Sequence, residues 1–194
     1  MNSLTLTATK REVLGKKESN LLRRDEQIPC NLYGGEENIS FTAPYNDFLN
    51  LIYNPDFFTV KITIEGKEYN TIIKEVQFHP VNDRILHIDF LELVPGKKIT
   101  ADIPVELTGL AEGVKAGGKL VQKLRKVKVK VAPEFLVEKI TVPVDDLKLG
   151  KSVKVRDIVT NNIEIMNAPS IPVASIDIPR ALKGAQAEAA SGKK

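Results

Sequence analysis

The chain opens with Leu4, Leu6 and Ala8 alternating with Thr5, Thr7 and Thr9, the two-residue period of a strand with one face buried. Lys10 to Lys17 has Gly15 and no usable period, which predicts a loop, and Ser19 is placed to cap a short helix running through Asn20 to Glu26. Ile28 to Tyr33 and Ile39 to Thr42 predict strands around the turn Gly34-Gly35-Glu36-Glu37. Pro44, as a first helical residue, opens a second helix through Asp47 to Ile52, which Asn54-Pro55 stops. Phe58, Val60, Ile62 and Ile64 alternate with polar residues, and Glu65-Gly66-Lys67-Glu68 turns the chain into a strand from Tyr69 to His79. Pro80 to Arg84 turns it again into Ile85 to Leu91.

The first part is therefore expected to be six strands and two short helices, a mostly antiparallel barrel-like domain. Val94-Pro95-Gly96-Lys97-Lys98 breaks the pattern, and a boundary is expected there, giving domains 1–94 and 95–180. Strand-like runs then recur at Ile99–Leu107, Lys119–Leu124, Lys126–Val131, Lys139–Val144, Ser152–Val155, Ile163–Met166 and Ile171–Ile178, which predicts a sandwich-like β-domain. The fold class is mainly β with a few short helices. Residues 181–194 lack a large apolar residue after Leu182 and are expected to form a disordered tail or a frayed helix.

Composition narrows the class of protein. In 194 residues, 42% are hydrophobic and 27% charged, with 11 Pro and 12 Gly, values that exclude collagen, coiled coil and wholesale disorder. One cysteine and two histidines give no internal disulfide and no four-ligand zinc site without carboxylate help; no metal or cofactor is expected. A reducing cytoplasm is the expected home. Met1 to Thr7 lacks the basic and apolar regions of a secretory signal, and the uncharged stretch Ile165 to Ile176 is too short and too proline-broken for a membrane span.

Charge is unevenly placed. Residues 1–94 hold 10 Lys and Arg against 14 Asp and Glu, net −4, whereas residues 95–194 hold 18 against 11, net +7. Within the acidic half, Lys10, Arg11, Lys16, Lys17, Arg23 and Arg24 face only Glu12 and Glu18, a local excess of +4 that either binds phosphate or is a solvated loop. In the basic half, Lys119, Lys123, Arg125, Lys126, Lys128 and Lys130 have no acid between them; Lys126 to Val131 alternates strictly, which suits RNA contact or protection of an exposed strand edge. No aromatic interleaves them for base stacking.

A third cluster lies on the hairpin. If the turn pairs His79 with Ile85, Gln77 stands opposite His87 and Glu75 opposite Asp89, while Val76 and Phe78 join the buried face. His87 and Asp89 then share the polar face, either as a pair that steadies the sheet or as part of a site. A hydrolase would need a nucleophile, and Cys30 lacks an activating signature.

Taken in order, Arg11, Gly15-Lys16, Ser19, Leu22-Arg23-Arg24, Ile28-Pro29, Tyr33-Gly34, Val76-Gln77, His79-Pro80 and Leu86-His87-Ile88-Asp89-Phe90 resemble the bacterial large-subunit ribosomal protein twenty-five family. Pro104-Val105, Gly113 to Leu120 and Leu147 to Gly150 resemble its long, two-domain form, the general stress protein Ctc group. The resemblance implies a non-enzymatic constituent of the large ribosomal subunit whose N-terminal domain binds 5S ribosomal RNA in the central protuberance. It implies neighbouring ribosomal RNA and proteins as further partners, no membrane, and a monomer off the ribosome. The matching positions are Arg11, Lys16, Ser19, Arg23, Arg24, Tyr33, Gln77, His87 and Asp89. Their chemistry suits RNA: Arg and Lys hold phosphates, Ser and Tyr reach phosphate or ribose oxygens, and Gln, His and Asp address base edges in a wide, shallow minor groove. The chain departs from the family pattern at Lys17-Glu18, at Asn20-Leu21, and at Phe78, where a basic residue is common. The competing expectations are a β-rich protein-interaction module with a basic surface and, more distantly, a hydrolase using Cys30, His87 and Asp89.

Overall fold

The computed structural model describes residues 3–160 and 162–179; the expected tail at 181–194 lies outside the described residues. The chain forms two compact units. One comprises residues up to Ala101 together with Ala132–Glu138, and the other comprises Asp102–Val131 together with residues from Lys139 onward.

The first unit is built on six strands: β1 (Ser3–Lys10), β2 (Gln27–Tyr33), β3 (Ile39–Pro44), β4 (Thr59–Ile64), β5 (Lys67–Phe78) and β6 (Ile85–Glu92). They close into a barrel in the order β1-β3-β2-β6-β5-β4. The hairpins are antiparallel, as expected, but the barrel closes through two parallel pairs, β1 with β4 and β2 with β6. Closure removes the open sheet edges that would otherwise template aggregation. The alternation read in β1 is realised: Leu6 and Ala8 are buried, and Thr5, Thr7 and Thr9 are exposed. At Glu65-Gly66 both residues have positive φ (50° and 82°) and Ile64 pairs with Lys67, a two-residue turn whose twist matches the flanking strands.

Two helices complete the unit. Helix α2 (Tyr45–Ile52) inserts Phe48 and Leu51 into the core; Pro44 caps it rather than occupying its first turn. Phe41, Phe48 and Phe90 meet there as tilted rings, with centroids 5.7 and 6.3 Å apart. Helix α1 (Lys16–Arg24) starts three residues earlier than Ser19, with Gly15 at its cap in a positive-φ conformation (153°), so Ser19 lies inside the helix and caps nothing. None of the residues of α1 is buried.

The β5–β6 hairpin holds the expected pairs Gln77 with His87 and Glu75 with Asp89. Its end does not. The register shifts between Gln77 and Phe78, so Ile85 pairs with Phe78 instead of His79, and Phe78 is 43% exposed where burial was expected. A bulge adds one residue to one strand and re-aims the side chains beyond it.

The second unit carries β8 (Lys119–Gln122), β9 (Lys126–Val131), β10 (Ile140–Pro143), β11 (Ser152–Lys154), β12 (Glu164–Ile165) and β13 (Pro172–Asp177), with β7 (Ile99–Thr108) leading into it. A four-stranded sheet has the order β10-β7-β9-β12 and a three-stranded sheet the order β11-β13-β8. In β9 the valines are buried and the lysines exposed, as the alternation requires. The edge-guard reading of those lysines fails, however, because β9 is paired on both sides, and Asn167 Oδ1 accepts the Lys128 amide at 2.7 Å. The short helix α3 (Glu112–Lys115) packs closely at Gly113, where an added Cβ would lie 2.7 Å from the Leu149 nitrogen and 2.8 Å from the Lys148 carbonyl carbon.

Candidate functional site

Strands β3, β2, β6 and β5 are consecutive around the barrel, and their registers assemble a polar row across its outer face. Ser40 pairs with Asn31, Asn31 with Asp89, and Asp89 with Glu75. Ser40 Oγ donates to Asn31 Oδ1 at 3.0 Å. One step along β6, the pair His87 and Gln77 forms a second row. His87 Nδ1 and Asp89 Oδ1 are 3.6 Å apart, with side chains about one-fifth exposed (20% and 22%), so both stand at the surface but are shielded by neighbours.

Helix α1 lies against this face through polar links. Arg23 Nε donates to the Leu86 carbonyl at 3.0 Å and Nη1 to Asn20 Oδ1 at 3.2 Å. Arg11, whose amide donates to the Ser40 carbonyl, sends Nη2 to Ser19 Oγ at 3.3 Å. Its Nε is shielded from solvent and has no acceptor within the described residues. Arg11 and Ser19 thus form a unit that the sequence presented only as separate candidates.

The electrostatics tie these groups together. Burial pushes the His87 pKa below its ordinary value; Asp89 opposes that, Arg23 and Arg11 add to it, and Glu75 opposes it. The imidazole is therefore neutral near pH 7. The Asp89 carboxylate 3.6 Å from Nδ1 favours the tautomer with its proton on that nitrogen, which leaves Nε2 as an acceptor. The Tyr33 phenol is raised by burial and by the carboxylates of Asp89 and Glu75, which keeps it a neutral donor. The site thus has two cations at one margin, a neutral imidazole, a phenol, two amide side chains and two carboxylates.

The structure brings together Arg11, Ser19, Arg23, Tyr33, Gln77, His87 and Asp89. Lys16 opens α1 and Arg24 closes it, both exposed; Arg24 lines a separate cavity at the far end of the helix. Sequence reasoning missed Asn31 and Ser40. Asn31 has the same outward parity as Tyr33, a signal that was present, but its place beside Asp89 depends on a non-local parallel pairing. Cys30 is fully buried, and burial drives its thiol far above the usual range, so the Cys30-His87-Asp89 hydrolase fails for want of an accessible nucleophile. Among the described residues no group of His, Cys, Asp and Glu is arranged to hold a metal, and no helix is long and apolar enough to cross a membrane.

A closed barrel with a polar face, followed by a β-unit, defines a two-part β protein, and both parts match known families. The Ribosomal L25p family model matches residues 6–90, and the model for the C-terminal domain of ribosomal protein TL5 matches residues 98–180. The chain is 46% identical over 194 residues to the large ribosomal subunit protein bL25 of Cytophaga hutchinsonii, covering 100% of both chains. It is 44% identical over 187 residues to that of Porphyromonas gingivalis, covering 95% of this chain and 97% of the relative. It is 45% identical over 168 residues to that of Bacteroides fragilis, covering 87% and 86%. The chain belongs to the Ribosomal L25p family, in its long two-domain form, and is a structural constituent of the large ribosomal subunit rather than an enzyme.

Proposed function

We propose that the outer face of the barrel and helix α1 bind 5S ribosomal RNA in the central protuberance of the bacterial large subunit, in the cytoplasm. The observation that carries this reading is the continuous polar row Ser40-Asn31-Asp89-Glu75, bordered by His87-Gln77 and flanked by the α1 arginines. A-form RNA offers a wide, shallow minor groove lined by 2′-hydroxyls and base edges, and an outer barrel face with interspersed donors and acceptors fits it. Arg11, Arg23 and Lys16 hold phosphates along the margin. Asp89 and Glu75, which repel phosphate, accept from base amino groups or 2′-hydroxyls in the middle. His87 Nε2 accepts likewise. The mechanism is scaffolding: a rigid face clamps an RNA helix and limits its motion.

The second unit, with its exposed lysines on β9, contacts neighbouring ribosomal RNA or protein on this reading, and the free protein is a monomer. The test is a titration of the full chain against 5S RNA and against an unrelated RNA helix of equal length, across a salt series. Selective binding is expected, with a modest salt slope from about four to six neutralised phosphates. Equal affinity for both RNAs would reduce the barrel face to a general polyanion binder. A protein-interaction module would leave binding unchanged in Arg11→Ala and His87→Ala.

A further inference from the structure

At the start of β6 a cavity of about 240 Å³ opens at the surface of the first unit, outside the polar row. Arg23, Arg24, Arg84 and His79 line it, along with Tyr45 and Glu26. Three arginines and a histidine line one concavity that has a single acidic residue in its wall.

The fold holds these groups in place. The His79 amide donates to the Arg84 carbonyl at 2.8 Å and the Asp83 amide to the His79 carbonyl at 3.0 Å, which closes the β5–β6 turn and fixes both residues across it. Asp83 sits at positive φ (52°), and Asn82 Oδ1 accepts the Arg84 amide at 3.3 Å. The Arg84 guanidinium lies 5.9 Å from the centre of the Tyr45 ring, so an aromatic face supports it. Tyr45 is itself anchored through its amide to the Glu26 carbonyl at 2.8 Å. Arg23 is pinned to Leu86. His79 Nδ1 accepts the Val81 amide at 3.3 Å, which places the ring proton on Nε2, so His79 is a donor even when neutral.

We propose that this cavity is a single-phosphate pocket: Arg24 and Arg84, assisted by His79, grip one phosphodiester of the bound RNA from two sides. The proposal rests on the RNA reading above and adds a contact that lies off the polar row. Planar guanidiniums suit a phosphate because their N–H forks match its oxygens. Glu26 limits the pocket to a group that offers its oxygens to the arginine side.

The test measures the salt slope of RNA binding for the full chain and for Arg24→Gln, Arg84→Gln and the double variant. Two arginines on one phosphate release the counterion of that one phosphate, so either single variant should weaken binding while leaving the log–log slope nearly unchanged, and the double variant should lower the slope by about one. The loss should be the same for 5S RNA and for the unrelated helix, because a phosphate contact carries no sequence information. A slope lowered by about two in the double variant marks two separate phosphates and overturns the shared pocket, as does no change in any variant. Matching melting curves establish that the variants are folded. If the wild-type chain prefers neither RNA, the 5S reading falls, while the shared-phosphate slope is still read on both RNAs.

Discussion

Replacing Arg23 with Met keeps most of the side chain's apolar stem and removes its donors, which isolates what holds α1 to the barrel. Helix α1 has nine residues and buries none of them, so neither its length nor a core face can keep it helical in isolation. Its polar attachments are the Arg23 bond to Leu86 and the Arg11 bond to Ser19; Leu22 is half-buried beside them, and the backbone continues into β2. A hydrogen bond from a charged donor is worth about 1.5–3 kcal/mol, and Arg23 is only part-buried, so the lower end applies, about 1.5 kcal/mol. That corresponds to roughly a tenfold rise in the population of the detached helix. Amide hydrogen exchange reads this directly: protection in α1 should fall by about that factor while β2, β5 and β6 keep theirs. RNA affinity should fall with it, because the variant removes one margin cation and Lys16 rides on the helix. Unchanged exchange in α1 would refute the idea that a polar link positions the helix.

Three further predictions concern the site and the second unit. Asp89→Asn removes a carboxylate that raises the Tyr33 phenol and opposes the depression of His87; the Tyr33 pKa should fall toward its ordinary value and that of His87 should fall further, both observable by NMR titration. Because the folded His87 pKa lies below the ordinary 6.5, the unfolded chain binds the proton more readily, so His87 makes stability decline as pH drops through 6.5 to the lower folded value. His87→Gln should flatten that limb of a denaturant-midpoint series, and an unaltered limb would reject burial as the cause. In the second unit, Gly113→Ala places a Cβ against the backbone of Lys148 and Leu149, which is not free to swing aside; a loss of about 1–3 kcal/mol should appear in chemical denaturation.

The sequence showed what depends on local parity and little of what depends on non-local pairing. The faces of β1, β4 and β9 follow from alternation, and the positions of Gln77, Glu75, His87 and Asp89 follow from one hairpin. The bulge at Phe78 has no glycine to announce it, so a basic-to-aromatic departure looked like a core residue and proved to be an exposed one. Asn31 and Ser40 join the row only because β2 lies parallel to β6, a pairing between residues nearly sixty positions apart. The covered edge of β9 was equally hidden: the run Ile163–Met166 was legible as a strand, but the pairing of Ile165 with Val129 was not. The spacing of Gly113, Gly117 and Gly118 was visible as a motif, but its cause, the close approach of α3 to residues 148–149, is a tertiary fact.

Net charge misleads for the barrel, because its charges are sorted along the strands. The turn after β2 carries Glu36 and Glu37, which share a surface cavity with Glu92 and Lys67 at the beginning of β5. Arg24, Arg84 and His79 lie at the opposite end of that strand. Arg84 and Glu92 bound the 8-residue strand β6, which at about 3.3 Å per residue separates the two ends by roughly 25 Å, about three times the Debye length of about 8 Å at physiological salt. The carboxylates of the acidic end are therefore screened from an anion at the basic end, and a domain of net −4 retains a cationic margin. Glu36→Gln with Glu37→Gln raises the domain's net charge by two and should leave equilibrium RNA affinity at physiological salt unchanged within about twofold. Neutralising the basic end should weaken it in proportion to the phosphate lost. A gain of tenfold or more from the glutamate pair would mean that the total charge, and not its placement, governs binding.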